Sequence, residues 1–121
     1  MCFKKAYAII FLNRYTHKEE EKMQITEVRE NDVIIVSIEG RVDTNTSPQL
    51  QDAILKSFQK VNQVVLDFEK CAYVSSAGLR ALLIGQKTAN SKKGTMKLIH
   101  VPAILMSVLQ VSGFVNILTI E

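Results

Sequence analysis

The chain has 121 residues, 47% of them hydrophobic and 22% charged, the size and balance of one ordinary domain rather than two. A chain of this size buries most of its apolar surface, so it needs neither a disulfide nor a metal staple. The net charge of +3 is too small to argue for nucleic acid; residues 1–22 carry +2 of it, leaving a nearly neutral remainder that is poorly suited to tracking phosphates.

The two cysteines, Cys2 and Cys71, are far apart and lack metal-ligand spacing. This argues against a disulfide framework or a zinc site and fits a reducing cytoplasm. Residues 1–22 begin with Lys4 and Lys5 followed by apolar Ala6–Leu12, a faint likeness to a signal peptide. The apolar run sits at the lower length limit, has no small-residue cleavage site after it, and is far too short to span a bilayer. The expectation is an unstructured or mis-assigned extension. The Lys- and Glu-rich codons before Met23 are purine-rich enough to encode a ribosome-binding site, which would make Met23 the natural start.

From Met23 the chain alternates strands and helices. "QITEVRE" is a short alternating strand, and Asn31–Asp32 form the turn into "VIIVSIEG", which points to an antiparallel hairpin. "SPQLQDAILKSFQK" is a helix with Ser47 as N-cap, Pro48 at the first helical position, and Leu50, Ile54, Leu55 and Phe58 on one face. "QVVLDF" is nearly continuous in apolar residues and predicts a strand buried on both faces. "SAGLRALLIGQKTANSKKG" is a second helix and its exit, "TMKLIHV" a strand, "PAILMSVLQVSG" a third helix between Pro102 and Gly113, and "VNILTIE" a terminal strand.

The order β-β-α-β-α-β-α-β predicts an α/β domain with parallel strand pairs. Right-handed crossovers place the loops that leave the strands along one edge, where functional groups gather in open α/β sheets. Two loops fall there, "GRVDTNTSP" and "EKCAYVSSAG".

Within the second loop, either Ser75 or Ser76 can cap the helix, with Gly78 allowing close packing. A nucleophile elbow requires glycine two residues before the serine, and Val74 stands there instead. His100, at a strand end, is the histidine a Ser76 hydrolase would need; a histidine bonded locally is the competing reading. A phosphorylated serine at a helix start would meet free N–H groups and the positive end of the helix dipole, and would add about −1.5 to −2 charge. Asp43 either caps a turn or pairs with Arg41, or else serves as a polar contact beside Ser76. Asp67 is expected to take backbone hydrogen bonds at a strand end. Lys92 and Lys93 lie in a basic turn. No P-loop, dinucleotide fingerprint, zinc spacing or catalytic carboxylate pair is present in the sequence.

From Met23 to Glu121 the chain resembles the STAS domain family, and within it the free-standing bacterial anti-sigma factor antagonists. Two segments carry the likeness: "GRVDTNTSPQL", similar to the family's Gly-x-Leu/Val-Asp segment, and "YVSSAGLRALL", similar to its Asp-Ser-Ser/Thr-Gly-Leu segment. Aligned on Gly78 and Leu79, the family's phosphorylated serine falls at Ser76, with Ser75 as the alternative acceptor. Ala77 follows Ser76, and Ser75 stands where relatives often carry Asp.

The resemblance implies a mixed sheet with helices packed mainly on one side and no catalysis, cofactor or metal. It implies that the unphosphorylated protein binds an anti-sigma factor that is also a serine kinase of the histidine-kinase-like ATPase type. Phosphorylation releases it, and a metal-dependent PP2C-type phosphatase resets it. The docking face so implied comprises Asp43, Thr44, Ser75, Ser76, Ala77, Gly78 and Leu79. The setting is cytoplasmic, with no nucleic acid or membrane partner. A scaffold subunit of a stressosome-like assembly is a second reading, ranked lower because no sensor domain accompanies residues 23–121. A small hydrolase using Ser76 and His100 is a third. A nucleotide-binding module is a fourth, which lacks a phosphate-cradling loop.

Overall fold

Two strands open the fold as a hairpin, β1 (Gln24–Glu30) and β2 (Val33–Val42), in antiparallel register from Gln24 opposite Glu39 to Glu30 opposite Val33. The computed structural model describes residues 23–121; the extension expected at residues 1–22 lies outside them. The Asn31–Asp32 turn closes the hairpin with Asn31 at φ 58°, a left-handed conformation that asparagine tolerates better than most residues.

Helix α1 (Ser47–Lys60) follows, then β3 (Gln63–Asp67), β4 (Cys71–Val74), α2 (Ser76–Ser91), β5 (Thr95–Ile99), α3 (Ala103–Ser112), a short 3-10 turn at Phe114–Asn116, and β6 (Thr119–Ile120). The sheet runs β1-β2-β3-β5-β6, with β4 also paired to β2. Every pairing except the β1–β2 hairpin is parallel. It is a mixed sheet with the helices packed on one face, and its core is built from alternate strand positions: Ile34, Val36 and Ile38 of β2, Val64 and Leu66 of β3, Met96 and Leu98 of β5. Leu50, Ile54 and Phe58 of α1 and Leu82 of α2 close it from the helical side.

Four details differ from the sequence-based expectation. The "QVVLDF" strand is not buried on both faces: Val64 and Leu66 are fully covered, but Val65 and Asp67 are only half-buried, because the helices cover one face of the sheet. Ser47 is the first residue of α1 rather than its cap, and the cap position belongs to Thr46. The terminal strand shrinks to Thr119–Ile120. Gly113, at φ 81°, ends α3, and the Phe114 carbonyl then accepts the N–H groups of Ile117 and Leu118, drawing residues into a tight turn.

The fourth difference positions the site. Between β3 and α2 the chain forms β4, which an apolar alternation does not announce: Cys71 and Val74 are buried, whereas Ala72 and Tyr73 between them are exposed. β2 is long enough to serve two partners in turn. Its first half pairs with β3 (Val33 opposite Gln63 to Ser37 opposite Asp67), and its last residues pair with β4 (Gly40 opposite Cys71, Val42 opposite Val74), with a register shift between Gly40 and Arg41. The chain thus leaves β2 at Val42 and leaves β4 at Val74 side by side.

Candidate functional site

The two loops singled out in the sequence meet at this edge. The Ser75 N–H donates to the Val42 carbonyl at 2.8 Å, so the start of α2 is tied to the strand end that leads into Asp43. One step earlier, the Arg41 guanidinium lies 4.6 Å from the centre of the Tyr73 ring, a cation–π contact between register partners.

Asp43 organises its own loop. Its Oδ1 accepts the N–H groups of Asn45 at 2.9 Å and Thr46 at 3.0 Å, while the Asp43 N–H donates to Thr46 Oγ1 at 2.8 Å. The Thr46 hydroxyl in turn donates to the Arg41 carbonyl at 2.9 Å. This reciprocal arrangement works like a capping box one turn ahead of α1, and it explains why Ser47 is not needed as a cap. Partial burial pushes the Asp43 carboxyl up, but the Thr46 and Asn45 N–H groups, the Thr46 hydroxyl and the Arg41 guanidinium together outweigh it and hold the carboxyl below its ordinary value. Thr44 is exposed at the loop tip.

The two serines have different jobs. Ser75 sits at the cap position in an extended conformation (φ −82°, ψ 176°), and its Oγ accepts the Gly78 N–H at 3.3 Å. Ser76 is the first residue of α2 and is exposed, with its hydroxyl free of the capping bond. Ala77 is half-buried. Gly78 is buried, and a Cβ there would lie 2.7 Å from a methyl of Val42 and 2.7 Å from a methyl of Val74. Only glycine lets α2 start this close to the ends of β2 and β4. Leu79 is 8% exposed and turns into the core. Of the expected docking residues, then, Leu79 and Gly78 shape the face from beneath, whereas Thr44 and Ser76 stand on it, with Asp43, Ser75 and Ala77 half-buried beside them.

Beside Ala77 runs a groove of about 330 Å³ between the first turns of α1 and α2, lined by Ser47, Pro48, Gln51, Asp52, Leu55, Ala77 and Arg80. Arg80 stands four residues after Ser76, a spacing already visible in the sequence, whereas the Arg41–Tyr73 pair depends on strand β4. A second concavity, about 320 Å³, lies elsewhere, bordered by Thr26, Ser37, Ile38, Glu39, Asp67, Glu69 and Lys70. His100 belongs to that region. Its Nδ1 is 3.0 Å from Asp67 Oδ1 and 4.0 Å from Glu69 Oε1, and no hydrogen bond joins it to Ser76 among the described residues. Asp67 Oδ1 also accepts the Glu69 N–H at 3.0 Å, the backbone bond expected of a strand-end carboxylate. Burial pushes the Cys71 thiol up, partly offset by the backbone of Tyr73, and its Sγ lies 3.5 Å from the Tyr73 carbonyl. No helix among the described residues is long and apolar enough to cross a membrane.

A mixed sheet with helices on one face thus carries, at one edge, an Asp-led loop beside a serine pair whose first member caps α2. The family model described as "Mlab, STAS domain" matches residues 25–119, and the chain belongs to the STAS domain family. It is 29% identical over 96 residues to a Bordetella bronchiseptica protein bearing the name anti-sigma factor antagonist BtrV, covering 78% of this chain and 83% of the relative. Among solved structures it is similar to an anti-sigma factor antagonist from Mycobacterium paratuberculosis, with a TM-score of 0.74, 18% identity, and coverage of 84% of this chain and 86% of the other. It is also similar to the Bacillus cell fate determinant SpoIIAA in its phosphorylated form, with a TM-score of 0.64, 19% identity, and coverage of 83% and 91%.

Proposed function

We propose that this protein is an anti-sigma factor antagonist of the partner-switching type, a binding protein whose docking state is set by phosphorylation of Ser76. The observation that carries the reading is the division of labour at the start of α2: Ser75 takes the cap, which leaves the Ser76 hydroxyl exposed on the helix's first residue. The names borne by relatives on this fold support the same reading.

On this reading the unphosphorylated edge (Asp43, Thr44, Ser75, Ser76 and Ala77) docks a serine kinase of the histidine-kinase-like ATPase type that doubles as an anti-sigma factor. The kinase transfers the γ-phosphoryl group of ATP to Ser76 Oγ. The bond from the γ-phosphorus to the bridging oxygen breaks, ADP leaves, and the hydroxyl proton passes to a base on the kinase. The product carries about −1.5 to −2 additional charge on a face that fitted its partner when neutral, and the complex separates. A PP2C-type phosphatase restores the hydroxyl by hydrolysis. Both partners are cytoplasmic on this scheme, and Ser76 is a substrate rather than a nucleophile of its own.

The test is phosphopeptide mapping of the protein from its native cells, paired with capture of cytoplasmic partners on the protein as isolated and on the same protein after phosphatase treatment. Phosphate at Ser76 and retention of an ATP-binding kinase only by the dephosphorylated form are expected. Modification confined to Ser75, or none at either serine, overturns the assignment.

A further inference from the structure

We infer that Arg80 is the receptor for the phosphate on Ser76: once modified, the serine is clamped by the guanidinium one helical turn away, and Arg80 is withdrawn from the groove. This rests on the proposal that Ser76 is the phosphorylated residue, and it concerns what the phosphate does next.

Ser76 and Arg80 are both exposed on α2 and stand four residues apart, the spacing that brings side chains together on one helix face. The order is the favourable one, with the anion toward the positive N-terminal end of the helix and the cation C-terminal to it. The first turn of α2 contains no acidic side chain, so a phosphate would be the sole anion on that turn. Arg80 makes no ion pair among the described residues. Across the groove Asp52 is already held by Lys56 at 3.1 Å, so among the described residues Arg80 is the groove-lining cation without an ion pair. A guanidinium presents paired N–H donors that match two phosphate oxygens, which a lysine ammonium does not. The acids of the neighbouring segments, Asp43 and Asp52, repel a phosphate and cannot substitute for Arg80.

The consequence is a switch with two parts. In the neutral form Arg80 edges a groove whose walls include Pro48, Leu55 and Ala77. In the phosphorylated form the serine gains its charge while the Arg80 guanidinium leaves the groove, so a partner that uses Arg80 meets a changed surface at two adjacent points.

The experiment places phosphoserine at position 76 during biosynthesis and follows the second ionisation of the phosphate by ³¹P NMR titration, in the otherwise unchanged protein and in Arg80→Gln and Arg80→Lys variants. The acid dissociation constant is expected to be about two- to tenfold larger with Arg80 than with Gln, with Lys between them. Identical titrations in all three overturn the clamp, as does a Lys variant that matches Arg. Thermal melts that agree among the three proteins exclude misfolding as the cause. Because the phosphate is installed without a kinase, the result at Arg80 is separable from native mapping. Absence of phosphate at Ser76 in cells overturns the proposed function, whereas a silent Arg80 overturns the clamp alone.

Discussion

Val42 and Ser75 are joined by a 2.8 Å hydrogen bond from the Ser75 N–H to the Val42 carbonyl, and this bond holds the end of β2 against the beginning of α2. Two loops separated by about thirty residues in the chain become one surface through it, because the register of β2 and β4 runs out at Val42 and Val74 together. The chemistry of the edge depends on how closely those two strand ends approach the helix.

Gly78 sets that approach. Gly78→Ala places a Cβ 2.7 Å from methyls of both Val42 and Val74, two stiff, buried β-branched side chains that cannot swing aside. Overpacking costs about 1–3 kcal/mol, against a gain of roughly 1 kcal/mol in helix propensity. Urea denaturation should show a net loss on the order of 1 kcal/mol, and Val42→Ala in the same chain should recover part of it. A stabilised Gly78→Ala protein would contradict the close packing described here.

Ser75 and Ser76 should separate cleanly in stability measurements. Ser75→Ala removes the acceptor for the Gly78 N–H and should cost about 0.5–2 kcal/mol. Ser75→Asp keeps an acceptor at the cap and should leave stability near that of the parent. Ser76→Ala touches an exposed position without the capping bond and should stay within about 0.5 kcal/mol. Any loss of partner binding by Ser76→Asp is then a surface effect and not unfolding, which a melt on the same sample checks.

Leu79→Ala should behave as a core truncation. Its side chain is 8% exposed and sits within the hydrophobic cluster, so a loss of about 2–5 kcal/mol is expected. A variant that melts like the parent yet fails to bind a partner would return Leu79 to the docking face.

Asp43 gives a pH signature. Its carboxyl is held below the ordinary value, so ionised Asp43 contributes stability at pH values above the unfolded carboxylate range, and that contribution disappears as pH falls through the folded value. Asp43→Asn retains a side-chain acceptor but has no proton to gain. Thermal melts at neutral pH should favour the parent, and the difference should narrow on acidification below about pH 4. A constant difference across that range would show that the carboxylate charge is immaterial to the loop.

The sequence by itself determined the strand and helix periods, the hairpin turn at Asn31–Asp32, the Pro102–Gly113 limits of α3 and the presence of two candidate loops at one sheet edge. These features are local: apolar spacing, turn residues and caps are properties of a few neighbouring residues, and tertiary packing had only to agree with them. The serine pair was legible too, with Ser75 expected as the cap or neighbour of Ser76, and the structure places Ser75 at the cap. A cap is chosen by where the helix axis begins, and that point is fixed when Gly78 seats against Val42 and Val74.

Tertiary structure alone decided the rest. β4 exists because β2 extends past β3 and offers unpaired backbone to Cys71–Val74, a segment whose own side-chain pattern is not that of a strand. That pairing brings Arg41 over Tyr73, while the packing of α1 against α2 opens the groove at Arg80. Contacts between distant segments depend on register and helix placement, quantities set by the whole core rather than by any short stretch of the chain.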